Sequence, residues 1–420
     1  MSKDQSASTL IRCAWLTDGP LAVVVSPYVS YLQTQRYSDR SINGYLASVA
    51  HLAYWMRTEG LRLPNLNEAL VKRFLETHSP SCKCPRPCCH ALNDLRSALR
   101  HLLIVLRRTG LLLAPTTEDE TPIAFELERF RHHLIDTRGL TDSTCRSYLK
   151  YAGKFLLHYF GTGSLDISLL TVRDIERYVI DHAKRRSLVS LASIRSTLNA
   201  YLRFRASLGD QTQSLLAAVP HIANWAHAAI PKSLTEEELE RVLQAFDLTK
   251  PMGKRNYAIA RCLIDLGLRG IEVTHLQLDS LDGRAATITV ACGKGRQVRT
   301  LPLPAQTGRA IARYLRNGRP ATNNRQLFVR HHAPFDKPIT VDVIRNVVNR
   351  TLSRCALGEK YSGAHVLRHT VATRLQRHGA SLKEIADLMG HQSLQTTTIY
   401  ARADLQALRA VALPWPGSAS

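Results

Sequence analysis

Arg269, Lys294, His365, Arg368, His391 and Tyr400 bring together two guanidiniums, an ammonium, two imidazoles and a phenol. Guanidinium forks match phosphate oxygens in pairs, a phenol can attack phosphorus, and lysine or histidine can protonate a departing oxygen. This inventory fits a phosphodiester better than other common substrates. His365 and Arg368 are three residues apart, so one helix face can aim both at a single phosphate. Glu272 follows Arg269 by three residues and can lock its guanidinium. The phenol of Tyr400 has an ordinary pKa near 10 and needs a base or nearby cations to react at neutral pH.

The elements that must position these groups are legible around them. Residues 256–268, NYAIARCLIDLGL, form an apolar helical run expected to end in Arg269. Residues 286–291 and 296–301 read as two strands, with Gly293-Lys294-Gly295 as the turn between them. His365 opens the helical run VLRHTVATRLQRHG, within which His369 reads as a structural histidine. Residues 381–388 read as an amphipathic helix capped by Ser381, with Gly390-His391 just beyond it and Tyr400 nine residues after the histidine.

The local wording DLGLRGIEV, CGKGRQ, AHVLRHTVATRL and ADLMGHQSLQTTTIYA resembles the catalytic domain of the tyrosine recombinases, the phage integrase family. H-x-x-R alone recurs by chance, and an isolated tyrosine is most often a core aromatic. H-x-L-R-H-T followed by A-T, with Tyr400 nine residues after Gly-His, is far more specific. The resemblance implies that Tyr400 is the nucleophile, that Arg269 and Arg368 clamp the phosphate charge, and that Lys294 is the hairpin general acid. His365 and His391 would handle protons and donate to phosphate, and Glu272 would orient Arg269. It also implies strand transfer through a 3′-phosphotyrosyl bond, with no ATP or metal required. No P-loop motif and no evident metal-ligating acidic triad stands in the sequence. Two alternatives stay open: a DNA-binding member of the fold without the chemistry, and a relaxing enzyme of the type IB topoisomerase kind.

The charge agrees with a polyanionic partner. The 420 residues carry 56 Lys+Arg against 34 Asp+Glu, a net of +22. Residues 1–120 hold 14 against 10 and the remainder 42 against 24, so the DNA-facing surface is expected after residue 120. No stretch approaches a membrane span and the N-terminus has no signal-peptide pattern. Nine cysteines, an odd number and mostly scattered, suit a reducing compartment. The expected location is the bacterial cytoplasm, at the nucleoid.

Polar, proline-bearing linkers at 114–122 and up to 235 divide the chain near 1–114, 121–225 and 234–412. Thr235 and Glu238 make a capping-box pattern at the start of the third segment. The first two segments read as copies of one helical unit. Tyr31-Leu32, Ser38 to Ser41 and Tyr45-Leu46 match Leu134-Ile135, Thr141 to Thr144 and Tyr148-Leu149 at an offset of 103. Leu95 to Leu99 and Gly110 then match Ile194 to Leu198 and Gly209 at an offset of 99. The fold class expected is multidomain and mainly α. Two helical, SAM-like domains of the core-binding type would precede an α+β recombinase catalytic domain with a small hairpin or sheet. Arg146, Lys150, Lys154, Arg195 and Arg203 are candidates for phosphate contacts from the second segment, with a solvated helix face the alternative for each. The near-neutral first segment suits a protein contact as well as a DNA contact.

The four extra residues of the first copy fall where Cys82, Cys84, Cys88, Cys89 and His90 are crowded as C-x-C-x3-C-C-H. Such a cluster could hold zinc, but its spacing departs from common zinc modules, and reduced thiols in an inserted loop are the default reading. The partners expected are double-stranded DNA at specific recombination sites and further subunits. Those subunits would be copies of the same chain in a tetrameric synapse, or related recombinases. The tail after Tyr400 has an apolar face at Leu405, Leu408 and Ala412 that would dock on a neighbouring subunit or on its own domain.

Overall fold

The structure is a computed structural model and describes residues 14–112, 121–161, 163–184, 188–220, 232–291, 298–335, 337–391 and 396–401. It is mainly helical, with one three-stranded sheet. The chain divides into two compact units, Met1–Leu112 with His227–Ser420, and Leu113–Ala226.

The first helical segment contains α1 (Ala14–Thr17), α2 (Ala22–Thr34), α3 (Asp39–Thr58), α4 (Glu68–Arg73) and α5 (Leu92–Arg108). Ser38 caps α3 by accepting from the Ser41 N–H, and Asn67 caps α4 by accepting from the Leu70 N–H. Leu46, Val49, Leu52, Ala53 and Met56 of α3 are buried against Leu95, Leu99, Leu102 and Leu106 of α5. In the same unit, Arg36 donates to the Ala321 carbonyl at 2.9 Å and lies over the ring of Phe335. The structure thus places the first and third segments of the sequence in one compact unit.

The second unit contains α6 (Pro122–His132), α7 (Asp142–Phe160), α8 (Val172–Ala183), α9 (Leu188–Ser207) and α10 (Gln213–Ala217). Thr171 and Asp174 make a capping box at α8. Phe130, Phe155, Tyr178, Tyr201 and Phe204 fill the core. Glu126 is buried there and is answered by the Tyr201 hydroxyl at 2.9 Å and by Arg205 at 3.0 Å. The succession α2, α3, short 3-10 turn, α4, α5 recurs as α6, α7, short 3-10 turn, α8, α9. α3 and α7 begin 103 residues apart, and α5 and α9 end 99 apart.

The C-terminal segment opens with α11 (Glu236–Gln244), whose expected Thr235/Glu238 capping box is present, and α12 (Pro251–Asp265). α12 is the axis of this core and buries Ala258, Ile259, Cys262 and Leu263. It stops before Arg269, where the sequence pattern suggested a continuous run. Gly267, at a φ of +59°, breaks the helix, and Arg269 becomes the N-cap of α13 (Gly270–His275). The sheet follows in the order β1 (Leu281–Asp282), β2 (Thr287–Ala291) and β3 (Val298–Pro302), all antiparallel. β2 and β3 are the two expected strands. Ile288 pairs with Leu301 and Val290 with Arg299, so Arg299 lies on the core-facing side of β3. Helices α14 (Ala305–Asn317), α15 (Val341–Arg354), α16 (His365–Arg377), α17 (Leu382–Met389) and α18 (Thr398–Ala401) complete the described chain. Among the described residues, no helix is long and apolar enough to cross a membrane.

Candidate active site

Four elements, α13, β3, α16 and α18, converge on the end of α17. This helix starts at a Ser381/Glu384 capping box and ends on Gly390, which adopts the left-handed conformation at a φ of +61°. The last carbonyls of a helix lack intrahelical partners and sit at its negative pole. Two guanidiniums meet them. Arg368 donates to the Met389 carbonyl at 2.6 Å and also to the Gly267 carbonyl. Arg269 donates to the Met389 carbonyl at 3.4 Å and to the Gly390 carbonyl at 3.0 Å. Arg368 is buried. Burial first, and then the nearby Arg269 charge, lower its pKa to about 10, so it stays cationic at neutral pH. Arg269 keeps 32% of its side chain exposed.

Glu272 is the counter-charge. Its carboxylate accepts from the Arg269 backbone N–H at 2.8 Å, which caps α13, and from Arg269 Nη1 at 3.0 Å. Arg299 reaches it from β3 with both ends of its guanidinium, at 3.1 and 2.9 Å. Burial alone would raise the Glu272 pKa. The Arg299 pair, the Arg269 N–H and the charges of both arginines outweigh it, and the carboxyl stays below its ordinary range. Gly390 closes this cluster. A Cβ built there would lie 2.9 Å from Arg299 Cζ, closer than carbon atoms can sit.

His365, Arg368 and His369 occupy the first turns of α16. His365 is at an exposed position, yet partial desolvation and the charges of Arg368 and Arg269 lower its pKa. His369 shares a 2.9 Å hydrogen bond between its Nδ1 and the Tyr400 hydroxyl. His391 shares one of 2.7 Å between its Nδ1 and Thr397 Oγ1, and its ring lies nearly parallel to that of Tyr400 with centroids 6.4 Å apart. The pKa of each is lowered to about 4. Burial leads in both cases, followed by His365 and Arg368 for His369 and by Arg368 and Arg269 for His391. Tyr400 is 1% exposed. Burial raises its pKa, and the charges of Arg368 and Arg269 pull in the opposite direction.

Residues 232–407 match the phage integrase family. A Sinorhizobium fredii chain named integrase/recombinase y4rA is 35% identical over 404 residues, 96% of each chain. The tyrosine recombinase XerD of Xanthomonas axonopodis is 31% identical over 303 residues, 68% of this chain and 95% of XerD. The chain belongs to the phage integrase family of tyrosine recombinases. Solved recombinases share its fold. XerH bound to a palindromic difH substrate aligns with a TM-score of 0.55 at 21% identity, over 73% of this chain and 92% of XerH. A solved fragment of the Tn1549 transposon integrase aligns at a TM-score of 0.53 and 17% identity, over 68% of this chain and 99% of that fragment.

In this tyrosine recombinase, Arg269, Glu272, His365, Arg368, His391 and Tyr400 lie on neighbouring elements around the end of α17. Lys294 lies outside the described residues, as do Leu405, Leu408 and Ala412. Arg146, Lys150 and Lys154 are exposed at four-residue steps along α7, so they form one stripe; Arg203 of α9 is exposed and Arg195 half-buried. Sequence reasoning missed two participants in the site. Arg299 carried a signal, because strand alternation puts it on the same face as the buried Leu301, where a charge requires a partner. His369 reads as a structural histidine by its local pattern, which carries no sign that its ring meets Tyr400.

In the cysteine-rich loop of the first segment, two thiols meet histidines from outside the motif. Cys82 and Cys84 direct their sulfurs at histidines outside the C-x-C-x3-C-C-H motif, His51 and His78, each at 3.2 Å. Cys89 offers its carbonyl to His51, Cys88 is buried, and His90 Nδ1 is 3.6 Å from Cys82 Sγ.

Proposed function

We propose that this site-specific recombinase cuts and rejoins DNA strands through a 3′-phosphotyrosyl intermediate formed by Tyr400. One observation carries the reading. Arg269 and Arg368 share the Met389 carbonyl, at 3.4 and 2.6 Å, on the element that precedes His391 and Tyr400. Two guanidiniums held this close form a clamp for the non-bridging oxygens of one phosphate, where charge builds in the pentacoordinate transition state.

The Tyr400 oxygen attacks the scissile phosphorus and the bond to the 5′ oxygen breaks. The phenol proton leaves toward His369, the group already bonded to that oxygen, and His365 and His391 donate to phosphate. Lys294 protonates the departing 5′ oxygen. A 5′ hydroxyl from a partner duplex then gives its proton to the Lys294 amine and attacks phosphorus. The Tyr400 oxygen departs and regains its proton from His369, so phosphodiester bonds are conserved in number and neither ATP nor a metal takes part. Glu272 and Arg299 act through Arg269 by fixing its fork, which reduces the ordering needed when phosphate arrives. Because the Tyr400 hydroxyl is buried on His369, attack requires that side chain to turn toward bound DNA.

The α7 stripe of Arg146, Lys150 and Lys154, with Arg195 and Arg203, supplies sequence-independent phosphate contacts. The working form on DNA is a tetrameric synapse of this chain, or an assembly with related recombinases, in the bacterial cytoplasm. Movement of a mobile element is the reading that fits the integrase/recombinase relative. The test uses nicked suicide duplexes tiled across the DNA flanking the gene. Wild type is expected to form a covalent adduct on one of them and Tyr400→Phe none. Retardation of the duplexes by both proteins, with an adduct from neither, would leave DNA binding without chemistry.

A further inference from the structure

The first helical segment holds a second constellation, far in sequence from the catalytic residues. His51 on α3, His78 at the end of the π-helical turn Phe74–His78, and Cys82 and Cys84 in the following loop each turn one donor atom to a common point. The four atoms all lie within 4.8 Å of one another. We infer that His51, His78, Cys82 and Cys84 form a structural zinc site that pins the cysteine loop to α3.

Three observations carry this assignment. The first is dimension. Zinc bonds of about 2.3 Å to sulfur and 2.0–2.1 Å to nitrogen place tetrahedral ligand atoms roughly 3.3–3.8 Å apart. His51 Nε2 to Cys82 Sγ and His78 Nε2 to Cys84 Sγ both measure 3.2 Å, so the cluster is already near zinc size.

The second is the support behind a ligand. His51 is fully buried, and its Nδ1–H donates to the Cys89 carbonyl at 2.6 Å. That bond fixes the tautomer and leaves the Nε2 lone pair directed at the cluster. A backbone carbonyl behind a histidine is the usual arrangement for a metal-ligating imidazole. The ring is held edge-on by Phe74, with centroids 5.0 Å apart.

The third is the chemistry of the set. Two thiols and two imidazoles, four donors with no fifth position left for substrate, match a closed structural zinc site rather than a catalytic one. Zinc takes cysteine as thiolate, so binding here would release the protons of the two thiols.

The experiment uses full-length protein, purified without a polyhistidine tag from zinc-supplemented cells, with metal measured by mass spectrometry. About one zinc per chain is expected, and less than about a tenth of an equivalent overturns the assignment. Cys84→Ser is expected to lose the metal, whereas Cys88→Ser and His90→Ala should retain it. Zinc loss in Cys88→Ser or His90→Ala, with retention in Cys84→Ser, overturns this ligand set. Should Cys84→Ser fail to fold, cobalt exchanged into wild type decides the matter. Absorption of a tetrahedral cobalt–thiolate centre supports the site, and an octahedral spectrum without thiolate bands refutes it.

Discussion

Arg299 and Glu272 meet as a two-point ion pair, Nη1 on Oε1 at 3.1 Å and Nη2 on Oε2 at 2.9 Å, with the carboxylate wholly buried. Arg269 binds the same carboxylate through its side chain and its backbone. Arg269 is thus the outer member of a three-residue cluster whose inner member comes from the hairpin. A guanidinium that pairs with a buried carboxylate also held by a second arginine has little freedom to swing away.

Removing Arg299 should therefore damage both the fold and the site. A buried charge left with no partner costs about 3–5 kcal/mol, and because Glu272 would keep Arg269, the loss of stability should fall toward the lower end of that range. Arg299→Ala is expected to lower unfolding stability on that scale in denaturant titrations and to slow DNA cleavage. Arg299→Lys keeps the charge but not the two-point geometry, so it should recover only part of both. Wild-type stability in Arg299→Ala would show that Glu272 does not depend on it.

Gly390 is constrained twice, by a φ of +61° and by the approach of Arg299. Gly390→Ala must shift either the Arg299 fork or the end of α17. A lowered melting temperature is expected, together with a larger fractional loss of cleavage than of DNA affinity. Equal losses of the two would contradict a role confined to the clamp.

His369 meets the Tyr400 oxygen directly. Its pKa, lowered to about 4, leaves it neutral and able to accept the phenol proton at neutral pH. His369→Gln keeps a polar group of similar reach but not the basicity. It should fold normally and form adduct more slowly by about a hundredfold, the scale of general-base catalysis. Adduct formation at the wild-type rate would place the proton acceptor elsewhere.

The same shift has a sign for stability. His369 and His391 have folded pKa values of about 4, below the ordinary value near 6.5. The unfolded chain therefore binds more protons between these values. The contribution of the neutral imidazoles is fully present above about pH 6.5 and is lost as pH falls toward 4. Glu272 acts in the same direction at lower pH, since its depressed pKa favours the fold until the carboxylate is protonated. The melting temperature of wild type should fall from pH 7 to pH 4.5, and less steeply in a variant with both His369 and His391 replaced by Gln. Parallel profiles would show that these two rings do not set the slope.

What was legible in the sequence follows the range of the interactions involved. The capping box at Thr235, the cap at Ser381, the strands of the hairpin and the helix opening at His365 are local, and they stand where the sequence pattern places them. The helix break before Arg269 was missed because an apolar run continues across Gly267, and only the positive φ there stops it. Arg299 and His369 were passed over because their partners, Glu272 and Tyr400, are 27 and 31 residues away. Spacing within 82–90 likewise says nothing of His51, which tertiary packing brings from α3 to Cys82.

The most direct measurement of the central claim is denaturing electrophoresis of wild type and Tyr400→Phe incubated with labelled, nicked duplexes from the flanking DNA. The expected result is a protein–DNA adduct with wild type, its phosphate mapped to Tyr400 by peptide mass spectrometry. Tyr400→Phe should show none while binding DNA with unchanged affinity. An adduct that persists in Tyr400→Phe, or maps to another residue, would contradict the assignment of Tyr400 as nucleophile.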